Sequence, residues 1–213
     1  MGVLALAEPL AVAARGVAAA LHGDRPLFDG QRVLVLGGGM IGVACVAVLR
    51  LLHHCESVFL FDPIPSRSAR AGLFGAQALT RTDVPQGVAS NSYSDLYQPN
   101  GYDVVFETTG SPVAFAQSLQ QLNPGGTVVH FGFLKEVTFA PKVLAIKGAH
   151  MVGSIGGSGM FEAVLPLVLE HAATFRELIT NRFAADDFDA AFASASDRDG
   201  SLKTQLVFGA TAV

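Results

Sequence analysis

Residues 32–52 narrow the possible folds more than any other part of the chain. A strand-like run, Arg32-Val33-Leu34-Val35-Leu36, enters Gly37-Gly38-Gly39-Met40-Ile41-Gly42 and leaves through Val43–Leu49, after which Arg50 supplies the next charge. The uncharged span Val33–Leu49 invites a membrane reading by composition. Four glycines lie inside it, three of them consecutive, so the pattern is instead a buried strand, a tight turn and a buried helix.

Glycines at 37, 39 and 42 form G-x-G-x-x-G between a strand and a helix, the context in which this spacing has a mechanism. Gly37 permits the turn, Gly39 lets backbone approach a pyrophosphate, and Gly42 lets helix and strand pack closely. The unpaired N–H groups at the helix start, Met40 and Ile41 among them, then face the phosphates with the positive end of the helix dipole. The next strand, Ser57-Val58-Phe59-Leu60-Phe61, ends in Asp62, 20 residues after Gly42. A carboxylate there accepts hydrogen bonds from the adenosine ribose diol and repels a 2′-phosphate, which favours NAD over NADP. Arg67 lies close enough to weaken that preference. S-adenosylmethionine on a similar sheet fits less well, because a third glycine suits a pyrophosphate.

Further strand-like runs at Asp103–Phe106, Thr127–Phe131 and His150–Val152 alternate with helical stretches. One of these helices starts at Ser111-Pro112, an N-cap followed by proline at the first helical position. Another, about 159–171, contains Pro166, expected to kink it. Apolar strands alternating with helices imply an α/β fold, a doubly wound parallel sheet of the Rossmann type. Residues 1–30 read as an N-terminal helix and connector, 31–174 as the dinucleotide-binding domain, and 175–213 as a short α+β tail. Ser90–Gly101 reads as a surface loop. The turns after strands four and five hold Thr109, Phe131 and Phe133, whose backbone groups are expected near the nicotinamide carboxamide.

Fourteen basic and eighteen acidic side chains leave a net charge of −4, which argues against nucleic acid or an anionic membrane surface as partner. Only 15% of residues are charged, against about 25% in average domains, so part of the surface is expected to be covered by another domain or subunit. Cys45 and Cys55 are too few for a disulfide framework and read as buried, reduced thiols of a cytoplasmic protein. The Ala-rich start lacks a basic segment and is broken by Glu8-Pro9, so it does not read as a signal peptide. No pair among the six histidines has i, i+4 spacing. His130, beside the expected nicotinamide edge, is the one weighed for an acid–base role. No tyrosine (Tyr93, Tyr97, Tyr102) is followed by lysine four positions on, which removes the Tyr–Lys base of short-chain dehydrogenases.

These features occur together with Glu8-Pro9-Leu10-Ala11-Val12-Ala13, Asp103-Val104-Val105-Phe106-Glu107 with Gly110, and Pro124-Gly125-Gly126-Thr127-Val128-Val129. Leu178-Ile179-Thr180-Asn181-Arg182-Phe183 and Lys203 complete the pattern. Over nearly its whole length the sequence resembles the cofactor-binding half and C-terminal tail of medium-chain, zinc-type alcohol dehydrogenases of the polyol and threonine dehydrogenase branch. The resemblance implies hydride transfer between a secondary alcohol and NAD. It also implies a β-rich catalytic domain, not found in this sequence, that brings most zinc ligands; zinc is expected only if that domain is supplied. By the same resemblance Glu8 marks the position that approaches or ligates the zinc. The tail's apolar residues Leu178, Ile179, Phe183, Phe188 and Phe192 would rest on that domain, so they are expected to be partly exposed or covered by a partner domain or a homodimer mate. The alternative function is a non-catalytic NAD-binding or regulatory module. No residue in this sequence is assigned as catalytic.

Overall fold

The structure is a computed structural model describing residues 2–21, 28, 30–80 and 101–209. His22, most of the connector before Gln31, and the expected loop at 90–101 apart from Gly101 lie outside the described residues. Six strands form one parallel sheet: β1 (Arg32–Leu36), β2 (Ser57–Phe61), β3 (Gln77–Leu79), β4 (Tyr102–Glu107), β5 (Leu122–His130) and β6 (His150–Gly153), in the order β3-β2-β1-β4-β5-β6. The order reverses direction between β1 and β4, where Val33 pairs with Val104 and Leu36 with Glu107. Crevices at such reversals, beyond the carboxyl ends of the strands, are where ligands sit on open α/β sheets.

Both faces of the sheet are buried, and alternation along the strands shows it. In β1, Val33 and Val35 join one apolar cluster while Leu34 and Leu36 join the other. The first face is covered by α1 (Ala7–Ala19), α2 (Met40–Leu51) and α6 (Phe161–Glu170). The second is covered by α4 (Pro112–Gln120) and α5 (Lys142–Lys147), with the short α3 (Pro65–Ser68) following β2. Ser111 caps α4 as expected, its hydroxyl accepting the Ala114 N–H at 3.4 Å. Helix α6 runs through Pro166 without interruption. The apolar run Gly2–Ala19 is long enough to cross a membrane by composition, yet more than half of it is buried here, with Leu6, Leu10 and Val17 fully enclosed.

Several boundaries differ from the sequence expectation. Strand β5 starts at Leu122 rather than Thr127, because Tyr102 pairs with Leu122 before a register shift at Tyr102/Val104. The short edge strand β3 and helix α5 carry no periodic signal of their own and emerge only in the fold. Lys147 explains how α5 is held. Its buried ammonium donates to Gln120 O at 2.8 Å and Leu122 O at 2.6 Å, satisfying carbonyls at the end of α4 and the start of β5. Lys147→Met should lower stability by about 2 kcal/mol, the scale of hydrogen bonds made by a charged donor. A urea midpoint equal to that of the native chain would contradict this.

The tail, α7 (Ala172–Arg176), β7 (Asn181–Ala184), α8 (Phe188–Ser196) and β8 (Thr204–Val207), forms a separate two-stranded parallel sheet with α8 as crossover. Phe188 and Phe192 are exposed and stack at 6.0 Å, as expected for an uncovered face. Leu178 corrects that expectation: it is fully buried, and Ile179 packs on the same core. The chain turns there before leaving the core, and Phe175, in contact with Phe74 at 5.2 Å, draws the segment inward.

Candidate functional site

The glycine turn is organised by a carboxylate. Gly37 has φ +107°, a conformation that L side chains rarely adopt, and its N–H donates to Phe61 O at 2.8 Å. The chain can then present the Gly38 N–H to Asp62 Oδ2 at 2.8 Å, while Asp62 Oδ1 takes the Ile64 N–H at 2.9 Å. Asp62 is buried and each oxygen keeps acceptor capacity, since an ionised carboxylate has about four lone-pair sites. The residue expected to bind ribose thus also fixes the glycine turn, a link that spacing alone does not reveal.

Gly39 caps α2 in extended backbone, and a Cβ built on it meets nothing within 4 Å. A Cβ on Gly42 would overlap the Gly37 carbonyl oxygen. Gly42 is therefore required by packing, whereas Gly39 leaves open space where a ligand can approach backbone. The first N–H of α2 that finds a helical acceptor is Val43, bonded to Gly39 O at 3.0 Å. The amides of Met40 and Ile41 belong to the unpaired first turn. Their side chains are half-buried and pack on the core.

In front of this turn lies a cavity of about 730 Å³, lined among others by Gly37, Gly39, Asp62, Arg67, Thr109 and Arg198. That volume lies within the few-hundred to ~1,000 Å³ range of small-molecule and cofactor sites. Its wall opposite Asp62 comes from the loop after β4 and from α4. Thr108 Oγ1 donates to Leu36 O at 2.8 Å and ties that loop to β1.

Behind the loop sits a group that sequence reading did not single out. Glu107 is completely buried. Its Oε1 accepts the Thr109 N–H at 2.7 Å, the Gly110 N–H at 3.1 Å and the Thr109 hydroxyl; its Oε2 lies 2.8 Å from His130 Nδ1. The Thr109 hydroxyl and N–H are thus used internally. His130 also meets the Phe115 ring edge-on at 5.2 Å and does not line the cavity.

The other residues expected at the nicotinamide edge are not gathered around one point. The Phe131 ring lies against Gly16 of α1, filling the place a side chain would need there, and its N–H donates to Glu107 O at 2.9 Å. Phe133 is exposed. Neither lines the cavity. Arg67 does, and its Nε donates to Arg198 O of the tail at 2.6 Å. Arg70 adds a third guanidinium, with Nη1 on Gly38 O at 3.2 Å. Burial and the neighbouring Arg67 charge hold its pKa below the usual value. Arg198 and Arg70 gave no sequence signal: one lies far down the chain, the other in an unpatterned 3₁₀ turn.

For zinc the described residues offer no group of three His, Cys, Asp or Glu side chains, and Glu8 is an exposed residue in the first turn of α1. A tetrahedral site cannot be made from them. Cys45 and Cys55 are buried free thiols, and burial pushes both pKa values up, away from reactive thiolate.

Comparison with known proteins agrees with this geometry. A family profile described as zinc-binding dehydrogenase matches residues 41–170. Over 168 residues the chain is 32% identical to the L-threonine 3-dehydrogenase of Burkholderia lata, covering 78% of this chain and 48% of that one. The structure of L-idonate 5-dehydrogenase from Escherichia coli K-12 superposes with a TM-score of 0.82 at 25% identity, over 97% of this chain and 57% of that one. A Sinorhizobium meliloti 1021 protein assigned as a zinc-binding dehydrogenase and solved with NADP superposes at 0.78 with 26% identity, over 95% and 58%. The chain spans about half the length of the relatives it matches.

Proposed function

The chain belongs to the zinc-binding dehydrogenase family, and from that premise we propose that it is the nicotinamide-dinucleotide-binding module of an oxidoreductase acting on a secondary alcohol or polyol, incomplete for turnover by itself. The observation that carries this reading is the Gly38–Asp62 hydrogen bond at 2.8 Å. It joins the phosphate-binding turn and the ribose carboxylate into one preformed unit beside a cavity of cofactor size. Gly39 and the first-turn amides of Met40 and Ile41 would take the pyrophosphate, Asp62 the ribose diol, and Gly37 and Gly42 hold the turn. Arg67 would take the adenosine edge, and the loop at Thr108 and Thr109, which lines the cavity, would border the nicotinamide end. When bound, the nicotinamide ring supplies hydride transfer, and the protein supplies binding and orientation.

Among the described residues no set of side chains fits a zinc ion. Glu8 would approach a metal only with ligands brought by a catalytic domain. The exposed Phe188–Phe192 stack on α8 would receive such a domain, and a homodimer mate is the other candidate cover. With both thiols reduced and buried, the cytoplasm is the compartment we assign.

Titrating well-folded protein with NADH by calorimetry tests the reading. Binding in the micromolar range is the expected result, and no uptake of either redox form would refute it. Adding an N-terminal half from a threonine dehydrogenase relative, with zinc and alcohols, should restore NAD reduction. Persistent inactivity with intact NADH binding would favour the non-catalytic module instead.

A further inference from the structure

A titratable pair stands directly behind the cavity wall at Thr109. Glu107 and His130 are opposite each other in register where β4 and β5 end. The Glu107 carboxylate is fully enclosed, with Oε2 at 2.8 Å from His130 Nδ1. Backbone closes over that oxygen, since a Cβ on Gly132 would lie 3.0 Å from it. The imidazole is 22% exposed, so protons can reach it from solvent. Imidazole is the side chain that changes charge between about pH 5 and 8. The pair thus carries one negative charge, or none after gaining a proton, whichever of the two residues holds that proton.

Among the described residues His130 is the one ion-pair partner of Glu107. Helix α4, which sets Phe115 against His130, has no charged residue. Arg32 of β1 and Asp103 of β4 lie at the opposite ends of their strands. Strand β5 has no other titratable side chain, and Lys135 and Glu136 beyond it are exposed. In α5, Lys142 is exposed and Lys147 is held on the Gln120 and Leu122 carbonyls. The Ser154 N–H, just past β6, donates to His130 O, while His150 stands opposite Thr127 at the far end of that pairing. The charge of the pair is therefore set by one proton. It also lies one amide behind the cavity, because the Thr109 N–H donates to Glu107 Oε1 at 2.7 Å and Thr109 lines the wall.

The two redox forms of a nicotinamide dinucleotide share their pyrophosphate and riboses and differ by one positive charge on the ring, present only when oxidised. Resting on the dinucleotide reading above, we propose that Glu107 and His130 set which redox form the site holds more tightly. Unprotonated, the pair attracts the oxidised ring across a wall from which water is excluded. A proton on the pair cancels that attraction and moves the preference toward the reduced form. By reciprocity, NADH binding draws in a fraction of a proton relative to NAD binding.

Calorimetric titration of the full chain with NAD and with NADH, at about pH 6 and about pH 8.5, tests this. In the native chain the ratio of NADH affinity to NAD affinity should be about threefold higher at the lower pH, the scale of one screened charge. Buffers of different ionisation heat should report greater proton uptake with NADH. His130→Asn keeps a donor near the place of Nδ1 but does not titrate, so its ratio should stay constant with pH. Glu107→Gln removes the negative charge and should show at the higher pH the ratio that the native chain shows at the lower. A native ratio independent of pH, or a His130→Asn ratio that still follows pH, would overturn the role of the pair and leave the dinucleotide site standing. A Glu107→Gln ratio equal to the native one at the higher pH would overturn it as well. If folded native protein bound neither form, the dinucleotide reading itself would fall and the role of the pair with it.

Discussion

Gly42→Ala should cost the chain both stability and cofactor affinity, and Gly39→Ala should cost affinity alone. A Cβ at 42 overlaps the Gly37 carbonyl oxygen, a backbone atom that cannot swing aside like a side chain. Overpacking of this kind costs about 1–3 kcal/mol, and a backbone clash belongs at the upper end. For a domain of this size that corresponds to a fall in melting temperature of roughly 6–12 °C. The only relief is to move the turn, which takes the Gly38 N–H away from Asp62 and misaligns the first-turn amides. If about 3 kcal/mol favours the displaced turn, restoring it on binding should weaken NADH roughly 100-fold. At 39 the backbone is extended and the built Cβ finds open space, so alanine should leave the melting temperature nearly unchanged. It would occupy the room through which a pyrophosphate approaches, and NADH affinity should still fall. Paired melting curves and titrations check this. A Gly39→Ala variant that binds NADH like the native chain would remove the phosphate from this turn.

The contrast between the two glycines also shows how far the sequence could be read. Regular spacing, a strand ending in Asp62 and a helix opening on Gly39 are local signals, and local signals located the sheet, its switch point and the carboxylate beside the glycine turn. What stayed hidden depends on residues far apart in the chain meeting in space. Arg198 reaches Arg67 only because the tail returns to the carboxyl end of β2, and nothing in either segment announces the other. Glu107 stood inside a motif of apolar strand residues, where a carboxylate has no periodic partner. Its role became visible once β5 placed His130 beside it. Leu178 departs from expectation for a related reason: the tail has the sequence of a peripheral segment, although its first turn still belongs to the core.

Glu107→Ala should be the most damaging single change behind the cavity. The carboxylate serves two backbone N–H groups and a hydroxyl through one oxygen and His130 through the other, with no access to solvent. Backbone N–H groups can only donate, so Oε1 must accept, and the alanine variant strands those donors behind β4. Each buried unsatisfied donor costs about 1–3 kcal/mol, and two backbone donors are stranded together. We therefore expect a loss of about 4 kcal/mol in urea unfolding, a large share of the 5–15 kcal/mol available to an ordinary domain. Glu107→Gln separates the two functions of the carboxylate. Its carbonyl oxygen can still accept from Thr109 and Gly110, and its NH₂ can donate to a His130 ring carrying its proton on Nε2. Loss in that variant should be nearer 1 kcal/mol, with NADH affinity within about threefold of native because the Thr109 turn keeps its acceptor. A glutamine variant as unstable as the alanine one would show that charge, rather than the acceptor geometry of Oε1, holds the loop after β4 in place.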